Sequence, residues 1–291
     1  MVQPPSEHRF AAPGGDLCWF EWGQPGVEPS LLFLHATGFH ARCWDQVIAA
    51  LPDDRHCVAV DLPGHGRSFR PASLGDWGAI ADSVAAFVRA QFNQPVMAIG
   101  HSMGGYLATR LAALLPQAFS SLLLVDPVIM SPATYEPRPD EITPDKHPVA
   151  RRRNRWDNAD QMITHFSARP PYASWRPDVL ADYCRFGLVQ AVDGEGLELA
   201  CPPQLEASAY MGSAGNNPHA MLDQVHCPVT VLRARNGERG STIDFSISPT
   251  WPELASALPN AVDLHWSDLS HFIPMEAPDR LAGLIDARLV P

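Results

Sequence analysis

The sequence predicts an α/β fold in which a mostly parallel sheet carries helices on both faces. Three observations predict it. Short unbroken apolar runs alternate with stretches of helical period up to Asp126, and again from Pro228 onward. A strand covered on both faces reads as such a run. One run, Val96 to Ile99, leads straight into Gly100-His101-Ser102-Met103-Gly104 and then into a helix-like segment from Tyr106 to Leu115. Between Pro127 and about His226 the rhythm breaks, and proline, arginine and tryptophan accumulate.

In chain order, a strand is expected from His8 to Ala12, then the turn Pro13-Gly14-Gly15-Asp16 and a second strand from Leu17 to Trp22. Leu31 to His35 is a third strand, covered on both faces. Trp44 to Leu51 reads as helix and His56 to Asp61 as the fourth strand. Ile80, Val84, Phe87, Val88 and Gln91 follow a helical period. Val96 to Ile99 and Leu122 to Val125 supply strands five and six. Past the break, Val229 to Arg233 and Ala261 to Trp266 complete eight strands, with helices near Trp251 to Leu258 and Pro278 to Leu289. Strand–helix alternation of this kind builds parallel sheets. Residues 1–130 and 227–291 are therefore expected to form the core, and 131–226 a helical cap inserted after the sixth strand. Asn158 to Phe166 and Pro177 to Leu188 are its clearest helices. Loops at the carboxyl ends of such strands carry the chemistry, so a cap there would act as a lid.

Composition narrows the function classes. The 291 residues are 46% hydrophobic and 18% charged, with a formal net charge of −11. That field repels phosphate backbones and anionic membranes, so nucleic acid and membrane partners are not expected. Arg151-Arg152-Arg153-Asn154-Arg155 reads as a solvated helix face, with a carboxylate-binding role as the alternative. The six cysteines (Cys18, Cys43, Cys57, Cys184, Cys201 and Cys227) are far apart, without a C-x-x-C pair, and read as free thiols of a reducing compartment. Without an apolar leader or a membrane-length run, a cytoplasmic protein is expected. Histidines lack the spacing of a zinc helix and no phosphate-binding glycine loop is present, so neither metal nor cofactor is expected. Oligomeric state is not legible.

The run around Ser102 has the form of a nucleophile elbow. Serine there sits on a tight strand-to-helix turn, its hydroxyl pushed out above the sheet and its neighbours small enough for the turn to close. The following helix points free N–H groups at developing negative charge. A serine needs a base. His271, in the loop after the last strand, opens on the same sheet edge. His101 adjoins the serine but points the wrong way for a base, and His35 and His65 are expected to hold loops by hydrogen bonds.

Four segments together resemble the α/β-hydrolase superfamily over nearly the whole chain. They are Leu34-His35-Ala36-Thr37-Gly38-Phe39 with Trp44 beyond, Asp61-Leu62-Pro63-Gly64-His65-Gly66-Arg67-Ser68, Gly100 to Gly105, and Ser270-His271-Phe272. The resemblance implies an eight-stranded α/β-hydrolase fold, with an oxyanion hole made by the backbone N–H groups of Thr37 and Met103. Ala36 stands where the family usually has glycine. The family acid usually follows the strand here read as Val229 to Arg233, where Glu238 falls one residue late. A family variation moves it to the end of the sixth strand, which is Asp126. Asp126 is favoured, Glu238 is the alternative, and Asp244 and Asp268 are further candidates. Phe39 and His101 are the expected substrate contacts, with His40 beside them. The resemblance thus implies a serine hydrolase acting on a small-molecule carboxylic ester through an acyl-enzyme. Lactone, amide or C–C bond hydrolysis, cofactor-free haloperoxidase chemistry, and a ligand receptor on the same fold are the alternatives.

Overall fold

The structure, a computed structural model, describes residues 4–26, 29–135, 143–191, 193–237, 244 and 246–289. Eleven strands lie among them: β1 (Ser6–Ala12), β2 (Gly15–Trp22), β3 (Leu31–Leu34), β4 (Cys57–Val60), β5 (Val96–His101), β6 (Phe119–Val125), β7 (Arg155–Trp156), β8 (Leu188–Gln190), β9 (Leu197–Leu199), β10 (Val229–Arg233) and β11 (Ala261–His265). The helices are α1 (Asp45–Ala49), α2 (Trp77–Gln91), α3 (Met103–Leu114), α4 (Ala159–Phe166), α5 (Pro177–Phe186), α6 (Pro203–Gly212), α7 (Ile273–Glu276) and α8 (Pro278–Leu289).

Eight strands make one sheet in the order β1-β2-β4-β3-β5-β6-β10-β11. The pairs β1–β2 and β2–β4 are antiparallel and the remaining five are parallel. Alternation along each strand divides the core in two. Leu32, Leu34, Val58, Val60, Leu122 and Leu124 face one layer with α2 and α3, packed on Trp77, Phe87 and Tyr106. Their neighbours Leu31, Phe33, Ala59, Ile99, Leu123 and Val125 face the other, where α1 and α8 contribute Val47, Ile48, Leu281 and Ile285. Both faces being covered explains the unbroken apolar runs.

The segment between β6 and β10 departs from expectation. Besides α4, α5 and α6 it holds a second, three-stranded antiparallel sheet in the order β7-β9-β8. Strands of two or three residues are too short for an apolar run to announce them, and one carries the buried Glu198, paired with Arg70 at 2.7 Å. The arginine cluster is no helix face either. It runs from a 3₁₀ turn (Pro148–Arg151) into β7, and its second residue, Arg152, is ion-paired to buried Glu206. Two expected helices are shorter than their patterns. Residues 44–51 divide into a 3₁₀ turn (Ala41–Trp44) and α1, and 251–258 hold only a 3₁₀ turn (Leu254–Ala257), hemmed by Pro252 and Pro259.

Candidate active site

Sheet register brings the chemistry together. His101 pairs with Val125, and Val125 with Leu232. Ser102 and Asp126 therefore leave adjacent strands one residue later at the same rim. The ladder continues through both, Ser102 N–H donating to Val125 O at 3.0 Å and Asp126 N–H to Leu232 O at 2.7 Å. Beyond this point each backbone turns sharply. Ser102 and Asp126 are the two non-glycine residues with positive φ among those described, at 57° and 46°. Such conformations cost about 1–3 kcal/mol and persist where surrounding structure fixes them. At Ser102 the fixing is visible: a Cβ on Gly104 would run into Leu34 O, and one on Gly100 into Gly104 O. The elbow closes only because both positions lack one.

His271 completes the arrangement from the loop between β11 and α7. Its Nδ1–H donates to Asp126 Oδ2 at 2.6 Å, which leaves Nε2 to accept from Ser102 Oγ at 3.0 Å. Asp126 Oδ1 is held independently by Ala234 N–H at 2.9 Å and the Ser248 hydroxyl at 2.5 Å. These donors fix the orientation of the carboxylate. The histidine loop is tied from two sides. Glu276 accepts from Ser270 N–H at 2.9 Å and Ser270 Oγ at 2.6 Å, and from Ser174 Oγ of the inserted segment at 2.7 Å. His101 Nε2–H donates to the His271 carbonyl at 2.8 Å.

Of the other acid candidates, Asp244 is exposed and Asp268 pairs with Arg280 at 2.8 Å, away from the imidazole. Glu238 lies outside the described residues.

Thr37 and Met103 stand opposite one another, the threonine hydroxyl donating to the methionine sulfur at 3.4 Å. Neither backbone N–H has a hydrogen-bond partner among the described residues. Their loop is held by two histidines. His65 Nδ1–H donates to Pro63 O at 2.9 Å, so Nε2 accepts from Gly38 N–H at 3.0 Å. His35 likewise donates from Nδ1 to Ala36 O at 2.8 Å and accepts Leu62 N–H at 2.9 Å. Burial drives both below the ordinary histidine range, His65 to about 4, so each stays neutral and keeps an acceptor nitrogen. Ala36 fits inside the turn, its carbonyl accepting from Phe39 N–H at 3.2 Å.

Phe39 lies at the border of sheet and insert, its ring against Trp175, Tyr183 and Phe272 at centroid distances of 5.3 to 6.1 Å. His101 has a different setting from the one expected. It is fully buried beneath the rim, and burial, followed by neighbouring His271, holds it well below the usual histidine range. Sequence reading missed Ser248, Thr250, whose hydroxyl donates to Pro127 O at 2.8 Å beside Asp126, and Glu276 at the end of α7; no motif marks any of them. It also missed Glu206 and Tyr183, which point from the insert at the Thr37 loop. Among the described residues no group of three or more His, Cys, Asp or Glu side chains could hold a metal ion, and no helix is long and apolar enough to cross a membrane.

Comparison with known proteins identifies the family and the fold. A model of the "Alpha/beta hydrolase family" matches residues 31–284. The mouse monoacylglycerol lipase ABHD6 is 27% identical over 279 residues, which cover 92% of this chain and 78% of that one. The lipase LipV of Mycobacterium tuberculosis is 25% identical over 284 residues, covering 92% and 95%. Among solved structures, the thioesterase domain from the curacin biosynthetic pathway superposes with a TM-score of 0.76 at 19% identity, over 98% of this chain and all of that one.

Proposed function

The chain belongs to the alpha/beta hydrolase family and is an ester-cleaving hydrolase, and we propose that Ser102, His271 and Asp126 carry its reaction through an acyl-enzyme. One observation carries the assignment: an unbroken hydrogen-bonded chain of 3.0 Å and 2.6 Å joins a strained serine to an imidazole and that imidazole to a buried carboxylate.

In the first half-reaction Ser102 Oγ attacks the ester carbonyl while His271 Nε2 takes its proton, over a distance suited to general-base transfer. The Thr37 and Met103 N–H groups receive the developing oxyanion, aided by the positive end of α3. Asp126 keeps the productive tautomer and stabilises imidazolium, which then protonates the leaving alcohol. Water, deprotonated by the same nitrogen, attacks the acyl-serine, and His271 returns that proton to Ser102 Oγ as the acyl–oxygen bond breaks and the acid leaves.

Residues 131–226 act as the cap over this rim in our reading. Phe39, Trp175 and Phe272 form an aromatic wall for small or medium carboxylic esters, and His101 holds the histidine loop rather than the substrate. Five buried cysteines and one half-buried, all unpaired, support a reducing compartment such as the cytoplasm.

The test is turnover of short p-nitrophenyl esters. Wild type should show sustained hydrolysis with an acyl-enzyme burst, and Ser102→Ala should show neither. Single-stoichiometry release without turnover would instead indicate a receptor.

A further inference from the structure

Every residue that follows Thr37 in its loop is gripped by the inserted segment. At Gly38, where φ is +79°, a Cβ would strike the Glu206 side chain of α6, with Cδ only 2.7 Å away. Phe39 packs on Tyr183 of α5 at 5.3 Å between ring centroids. His40 Nε2–H donates to the Tyr183 carbonyl at 3.1 Å, and its ring stacks on that tyrosine. One guanidinium joins these grips. Arg152 Nη1 donates to both Glu206 carboxylate oxygens, at 2.8 and 2.6 Å, and Nη2 to the hydroxyls of Tyr183 at 2.9 Å and Tyr172 at 3.3 Å. Glu206 is 3% exposed.

A buried ion pair is weak as a stabilising device, because desolvation offsets most of the Coulomb attraction. What it does well is fix geometry, since two forked groups have few arrangements that satisfy every donor. Here the fixed object is a glycine with no side chain of its own to hold it. Its N–H is already committed to His65 on the sheet side. Gly38 is thus clamped between His65 below and Glu206 above, and Thr37 is its neighbour in the chain.

We infer that Arg152 and Glu206 are positioning residues for the oxyanion hole: the inserted segment, through this ion pair, sets the backbone path that aims the Thr37 N–H. The inference rests on the proposed hydrolase reading. It makes the insert part of the machinery that stabilises the transition state, rather than only a cover over the substrate.

Two variants test it, Glu206→Gln and the double replacement Arg152→Met with Glu206→Met. The double variant leaves no charge stranded, so it serves if the single one melts early. Each is assayed for kcat and KM on a p-nitrophenyl ester, and for affinity toward a trifluoromethyl ketone, whose tetrahedral serine adduct places an oxyanion in the hole. We expect kcat to fall about 10- to 100-fold with KM changed less than about threefold, as when a catalytic donor is moved out of line. Affinity for the ketone should fall in parallel with kcat/KM. Unchanged kcat, or a lower kcat with ketone affinity retained, overturns the inference. Ser102→Ala is measured alongside: if it still turns over, the hydrolase reading fails instead, whatever the clamp variants do.

Discussion

The rim of the sheet and the segment inserted above it solve the same problem by different means. At the rim, atoms are placed by main-chain register. Ser102 and Asp126 sit side by side because His101 pairs with Val125, and hydrogen bonds repeated along the ladder leave little freedom. In the insert, atoms are placed by side chains: an ion pair between Arg152 and Glu206, and the aromatic residues Trp156, Trp175 and Tyr183, which cluster with Phe39 and Phe272 of the rim. Register errors cost a whole strand, whereas a side-chain contact can be lost singly. The rim should therefore fail steeply when altered and the insert by degrees.

The largest expected effect breaks the rim outright. Ser102→Ala should lower kcat by about 10⁶-fold, the loss typical when a triad serine is removed. Asp126→Asn comes next, at about 10⁴-fold, because an amide cannot hold the Nδ1–H tautomer of His271. Glu238→Gln should leave turnover close to wild type, and the reverse pattern would move the acid to the strand-β10 loop.

The insert is probed by stability. Arg152→Met alone strands the Glu206 charge and should cost about 3–5 kcal/mol in urea unfolding. Adding Glu206→Met should restore most of that loss, since neither charge is then left unpaired. Equal losses in the single and double variants would contradict the ion-pair account.

Acid sharpens the contrast at the loops joining the two regions. His35, His40, His65 and His101 are buried and neutral, with pKa values lowered by burial, His40 to about 3 and His65 to about 4. The unfolded chain takes up these protons near pH 6.5, so their contribution is complete above that pH and lost as pH falls toward the folded values. Asp45 and Asp61 work oppositely. Burial raises each to about 6, so their cost grows as pH rises from about 4 to 6. Asp182 and Glu206, also raised by burial, add to the carboxyl side, so the histidine loss is partly offset and stability should fall as pH drops from 7 to 5. Denaturant midpoints measured between pH 7 and 5 check the sign. The smallest effect is at Ser248→Ala, which removes one donor from Asp126 and should lower kcat about 5- to 10-fold, less than the full worth of a charge-assisted hydrogen bond because Ala234 N–H still holds the same oxygen.

Legibility in the sequence follows the same division. Gly100-His101-Ser102-Met103-Gly104 and the Asp126 that ends a strand are local patterns, because register turns chain position directly into spatial position. His271 could be anticipated from its place after the last strand. Glu206, Tyr183 and Ser248 could not, for each meets its partner across 54 to 143 residues of chain. The small sheet of β7, β8 and β9 escaped for a related reason: two or three residues per strand leave no pattern to read. Arg152 was misread because a cluster of arginines looks solvated unless the buried carboxylate that faces it is known.

The central claim is met most directly by a fluorophosphonate probe followed by peptide mapping. One adduct is expected, on Ser102, formed rapidly in wild type and suppressed in His271→Ala. Labelling at another residue, or labelling of Ser102 at an undiminished rate without His271, would contradict it.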